Sequence, residues 1–134
     1  MTILLVDDSR FQRLANERSL TRAGYSVISA SDGEYALRIA HERPVDLILL
    51  DMMLPKLDGI SVLRALKREA STTNIPVIVL SGLPQKNETK LIEEGASAYI
   101  EKSESLQGKG AEVLLKLVAT TLHDKAMQAA SVKV

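Results

Sequence analysis

Three short stretches of this chain are apolar without interruption: Ile3-Leu4-Leu5-Val6, Leu47-Ile48-Leu49-Leu50 and Val77-Ile78-Val79-Leu80. A strand with one wet face alternates apolar and polar residues, and these do not. Strands buried on both faces read this way, and they belong to parallel sheets covered by helices on either side. Two weaker candidates suit the sheet edges: residues 25–30, which alternate in part, and the brief 98–100. With 134 residues, the chain is the size of one domain. A domain of this size buries roughly two-thirds of its extended-chain surface, so it needs no metal or disulfide staple.

Helical patterns fill the gaps between these strands. Ser9 is placed to cap a first helix that stops at Gly24, a residue suited to the left-handed position after a helix end. Its apolar face is ambiguous: Phe11, Ala15 and Ala23 share a side while Leu14 points elsewhere, and Phe11 suits core packing at least as well as exposure. A second helix is expected over about 34–43, ending before Pro44, and a third from about Gly59 with Val62, Leu63, Leu66 and Ala70 on one face. A fourth covers about 85–94 and terminates at Gly95. In the last, Leu114, Leu117, Val118, Leu122 and Ala126 keep helical register. Gly108-Lys109-Gly110 reads as a linker before it, since two glycines without a strand-loop-helix context make a weak phosphate loop.

Five β-α units in strict alternation, with right-handed crossovers and both sheet faces covered, require the winding to reverse once. Weak strands at the edges then give an α/β fold: a doubly wound, five-stranded parallel sheet of order 2-1-3-4-5, the flavodoxin-like arrangement. Residues 1–127 form the expected domain, and 128–134 a tail readable as the start of a linker.

Composition removes several function classes. There is no cysteine, which excludes thiol catalysis, Cys-ligated metal and disulfides. His41 and His123 lack ligand spacing and are expected to face solvent without a role. Seventeen basic residues balance 17 acidic ones, which argues against nucleic acid or an anionic membrane as a direct partner. The start of the chain lacks signal-peptide features, and no apolar run could span a bilayer, so a cytoplasmic protein is expected.

In such a fold the working site lies at the carboxyl ends of the central strands. The first strand ends in Asp7-Asp8, the third in Asp51, the fourth in Ser81 and the fifth in Lys102. Three carboxylates in one cleft repel each other unless a cation joins them, and a hard oxygen set with room for waters suits Mg²⁺. A hydroxyl and a lysine beside them suit a phosphoryl group, and a carboxylate can accept one as an acyl phosphate.

At this point the sequence resembles the receiver domain of two-component response regulators. The likeness rests on Leu5-Val6-Asp7-Asp8-Ser9, Asp46-Leu47-Ile48-Leu49-Leu50-Asp51-Met52-Met53-Leu54-Pro55 with Asp58-Gly59, Pro76-Val77-Ile78-Val79-Leu80-Ser81-Gly82, and Gly95-Ala96-Ser97-Ala98-Tyr99-Ile100-Glu101-Lys102. Each piece is weak alone; together, in order and at matching spacings, they are specific. The resemblance implies that Asp51 is the phosphoacceptor and that Mg²⁺ is held by Asp8, by Asp7, by Asp51 and by the backbone carbonyl of Met53. It gives Ser81 the hydroxyl role, Lys102 the phosphate-pairing role and Tyr99 the aromatic switch position. Phosphohistidine on a sensor kinase or phosphotransfer protein is the implied donor, docking near Phe11 and Leu14. The implied output is protein contact at the face of the fourth helix, fifth strand and fifth helix, because only residues 128–134 follow the last helix pattern.

The chain departs from the family pattern in two places. Ser103 stands where most receivers have a proline in a cis bond, and a non-proline cis bond costs about 2.5–4 kcal/mol, so a trans bond or rearranged loop is expected over 103–110. Met53 and Leu83 occupy positions that adjust phosphoryl lifetime, and neither can orient an attacking water, so slow self-dephosphorylation is expected. Separate substrate turnover is not. A haloacid-dehalogenase-type phosphatase would need a second aspartate where Met53 stands, and a dinucleotide-binding domain would need a glycine fingerprint after the first strand. A pseudo-receiver that never phosphorylates is the remaining rival.

Overall fold

The computed structural model describes residues 1–52, 54, 57–81, 88–101 and 109–132, the side chains of 88, 109, 110 and 129–132 excepted. Strands and helices alternate: β1 (Thr2–Val6), α1 (Arg10–Arg22), β2 (Ser26–Ala30), α2 (Gly33–Glu42), β3 (Leu47–Asp51), α3 (Gly59–Arg68), β4 (Val77–Ser81), α4 (Glu88–Glu93), β5 (Ala98–Glu101) and α5 (Lys109–Val132). All pairings are parallel, in the order β2-β1-β3-β4-β5. This is the doubly wound sheet expected from the uninterrupted apolar runs.

The reason for those runs is visible in the packing. Successive side chains of a strand point to opposite faces. Leu4, Val6, Ile48, Leu50, Val77 and Val79 meet Ile39 of α2, Val62, Leu63 and Leu66 of α3, and Leu91 of α4. Their neighbours Ile3, Leu5, Leu47, Leu49, Ile78 and Leu80 meet Leu20 of α1 and Leu114, Val118 and Leu122 of α5. Each fully buried Leu, Ile or Val contributes about 1.5–3 kcal/mol of burial. No position on the central strands is therefore left for a polar residue until the strand ends.

Side-chain caps start three of the helices. Ser9 Oγ accepts from the Gln12 N–H at 3.4 Å, Asp32 Oδ1 from Tyr35 at 2.8 Å and Asp58 Oδ1 from Ser61 at 2.9 Å. Gly24 and Gly95, with φ of 99° and 112°, follow the ends of α1 and α4 in the left-handed region.

Several expected details differ. On α1 the buried residues are Asn16 and Leu20, four apart, while Phe11 is 71% exposed and Leu14 46%. The Ser9 cap sets the start of the helix, and with that start the Asn16–Leu20 face, not the Phe11–Ala15–Ala23 side, lies toward the sheet. Ala70 falls beyond the end of α3 and is exposed. Ala126 is also exposed: α5 is 24 residues long, about 36 Å, and among its described side chains the last buried one is Leu122. Lys109 and Gly110 belong to α5 rather than to a linker. Residues 85–87 of the expected fourth helix lie outside the described residues.

Candidate functional site

The register of the sheet brings the ends of β1 and β3 together. Val6 pairs with Leu50, so the next residues, Asp7 and Asp51, emerge side by side at one sheet edge. Both are buried where the helix layers close over the sheet, Asp7 fully and Asp51 to 97%. Asp8, one residue further along, is exposed. One carboxylate oxygen from each of Asp7, Asp8 and Asp51 lies within 4.8 Å of the other two. At that separation two ionised groups repel by on the order of 3 kcal/mol at an effective dielectric of about 20. An all-oxygen, all-anionic donor set with one exposed member open to water fits a hard divalent cation.

The backbone around this cluster is held at several points. The Asp7 N–H donates to the Ala30 carbonyl at 3.0 Å, and the Ser9 N–H donates to Asp7 Oδ1 at 2.9 Å. Arg13 Nη1 donates to the Asp7 carbonyl oxygen at 2.9 Å. Beyond β3, the Gly59 N–H donates to the Met52 carbonyl at 3.1 Å. A Cβ at Gly59 would stand 2.5 Å from the Asp51 carbonyl oxygen and from Met52 Cα, so only glycine lets α3 start this close to Asp51. The Ser61 N–H and hydroxyl hold the Asp58 carboxyl below the usual carboxylate range.

Ser81, last residue of β4, is 1% exposed, one step past the Leu80 that pairs with Asp51. Its partner in β5 is Glu101, the residue before Lys102. Tyr99 is half-buried on β5, packed against the α2–α3–α4 side of the core and bordering a groove with Val113, Lys116, Leu117 and Thr120 of α5. Four of the expected site residues, Asp7, Asp8, Asp51 and Ser81, are thus placed at one sheet edge. Lys102 and Met53 lie outside the described residues, as do Ser103 and Leu83.

Sequence reasoning passed over Arg13. Its signal was a cation in the opening turns of a helix with no acidic residue in the first turn, the end where the dipole disfavours positive charge.

The sequence pattern of the response regulator receiver domain matches residues 3–109. The chain belongs to this receiver family. It is 42% identical over 120 residues to the gliding motility regulatory protein of Myxococcus xanthus, covering 88% of this chain and 15% of that protein. It is also 42% identical over 101 residues to the alkaline phosphatase synthesis transcriptional regulatory protein PhoP of Bacillus subtilis, covering 75% of this chain and 41% of PhoP. The chain therefore spans less than half the length of either relative. Among solved structures, the response regulator receiver domain protein from Clostridium thermocellum is 28% identical, with a TM-score of 0.83 over 95% of this chain and 98% of that one.

Receiver domains of two-component systems act with histidine kinases and downstream effectors, and the family is generally not one of substrate-turnover enzymes. The dehalogenase and dinucleotide-binding readings are set aside by the family match. Among the described residues, no helix is long and apolar enough to cross a membrane.

Proposed function

We propose that this receiver accepts a phosphoryl group from phosphohistidine onto Asp51 in a Mg²⁺-dependent, in-line transfer. The observation that carries this reading is the meeting of the Asp7, Asp8 and Asp51 carboxylates within 4.8 Å at the carboxyl edge of the sheet. An Asp51 oxygen attacks phosphorus as the P–N bond breaks, forming an acyl phosphate and leaving the electron pair on the imidazole nitrogen. Asp7, Asp8 and Asp51 would hold the metal, with the Met53 carbonyl as a further donor by analogy with the family. When bound, Mg²⁺ supplies positive charge against the carboxylates and the phosphoryl oxygens. The Ser81 hydroxyl donates to one phosphoryl oxygen and Lys102 pairs with another, so positioning and electrostatics supply nearly all of the catalysis.

The phosphoryl group then interacts differently with two arrangements of Ser81 and Tyr99, which is sufficient to shift their populations. The output is contact with a downstream protein at the α4–β5–α5 face, and the chain catalyses only its own phosphorylation and slow dephosphorylation. The receiver unit is taken as residues 1–127, with 128–134 leading away from it, and its place is the cytoplasm. Among the α5 side chains that are described, the last buried one is Leu122, within that unit.

The test is intact-mass analysis after incubation with acetyl phosphate and Mg²⁺. A single phosphoryl adduct is expected, absent with EDTA and absent from Asp51→Asn. An adduct that persists on Asp51→Asn would place the acceptor elsewhere, and none on the unmodified protein with a phosphorylated histidine donor would favour a pseudo-receiver.

A further inference from the structure

We propose that Arg13 is a positioning residue for the divalent cation, acting through the backbone of Asp7. The inference rests on the carboxylate-site reading above. The segment that carries two of the three carboxylates is the short connection from β1 to α1, residues 7–9. Asp7 is pinned there by its N–H on Ala30 and by the Ser9 N–H on its carboxylate, but its carbonyl points toward α1. Arg13 closes this gap, with Nη1 at 2.9 Å from the carbonyl oxygen.

Two features indicate more than an incidental contact. Arg13 is only half-buried, so ordering its long side chain on this carbonyl costs conformational entropy that the contact must offset. It also stands at the fourth position of α1, where the helix dipole opposes a cation, so a favourable interaction must offset that placement. The hydrogen bond to the Asp7 carbonyl provides it. With the carbonyl held, the peptide between Asp7 and Asp8 keeps one orientation, and both carboxylates are presented to the same point before any ion arrives. Partners that orient metal ligands in this way typically change metal affinity by about 10–100-fold when removed.

Charge alone predicts the opposite result, which makes the sign decisive. Removing a cation held against the Asp7 backbone should tighten Mg²⁺ binding if Arg13 acts only as a nearby charge. Removing a positioning contact should weaken it. The experiment is calorimetric titration of the full chain with Mg²⁺ for wild type, Arg13→Met and Arg13→Lys, with hydrogen exchange over residues 7–12 in the metal-free proteins. Under the proposal Arg13→Met weakens Mg²⁺ about tenfold and speeds exchange over that segment, while Arg13→Lys recovers much of both. Affinity equal to or above wild type in Arg13→Met overturns it; should that variant not fold, the same criterion passes to Arg13→Gln. A wild type that binds no Mg²⁺ refutes the carboxylate site itself and the role of Arg13 with it. Wild-type binding with an unchanged Arg13 variant refutes only the latter.

Discussion

At its first turn α3 sets Gly59 directly against the backbone of Asp51, one of three residues whose carboxylates lie within 4.8 Å of one another. In its second half the same helix offers Arg64 and Lys67 to the end of α4. There Arg64 grips Glu94 with two hydrogen bonds of 2.9 Å. The stem of Lys67 runs beneath Gly95, while its ammonium donates to the Thr73 and Ile75 carbonyls at 3.1 and 2.7 Å. Burial, with the nearby charge of Lys125, pushes the Lys67 pKa below the usual lysine value. The Arg64–Glu94 seam sets opposite charges against each other, whereas the sheet edge gathers like charges. Opposite charges paired within the chain support the fold, and like charges gathered at one edge suit a bound cation. Charge substitutions at the two ends should accordingly be read out differently, in cation binding at the sheet edge and in stability at the seam.

The largest effect is expected from breaking the approach of α3 to the site. Gly59→Ala would put a methyl 2.5 Å from backbone atoms that cannot turn aside. Overpacking of this kind costs about 1–3 kcal/mol, and denaturant unfolding should report the upper part of that range. A loss below about 0.5 kcal/mol, the scale of neutral surface changes, would show that α3 can start further out. Next comes the loss of a donor. Asp51→Asn removes one of the three neighbouring carboxylates, so Mg²⁺ titration should show clearly weakened binding and intact-mass analysis no phosphoryl adduct. Mg²⁺ affinity unchanged in Asp51→Asn would remove Asp51 from the donor set, and the contrast between the two ends of α3 would fail.

The central sheet was legible because its residues have no alternative: an uninterrupted Leu-Ile-Val run such as 47–50 is stable only with helices on both faces, and both faces are filled. The strand-end residues were legible for the same reason, since Asp7, Asp51 and Ser81 are the first polar positions after such runs. What stayed hidden depends on rotation and reach rather than on composition. The inward face of α1 is marked by a buried Asn16 instead of an apolar stripe, so periodicity pointed to Phe11. Ala126 keeps helical register but lies past Leu122, the last buried residue of α5 among the described side chains. Arg13 is recognisable only once the Asp7 carbonyl is seen to face it.

The smallest effect belongs to the paired end of α3, and its pH dependence distinguishes it from the site. The two hydrogen bonds from Arg64 hold the Glu94 carboxyl below its usual pKa, with the charge of Arg64 adding to them. A carboxylate with a depressed folded pKa stabilises the protein above its ordinary value, and that contribution is lost as pH falls through the folded value. Glu94→Gln should therefore be slightly less stable than wild type at neutral pH, with the difference vanishing under acid. Half of the Arg64 side chain is near water, so the difference should also shrink with added salt. Thermal melts of both proteins across pH 3–8 test this, the acid limit taken from the ordinary carboxylate range of about 4. A gap that persists in acid would mean that the seam is held by packing around Gly95 and Lys67 rather than by charge. A Glu94→Gln protein more stable than wild type would show that the seam does not support the fold, and the contrast between the two ends would be lost.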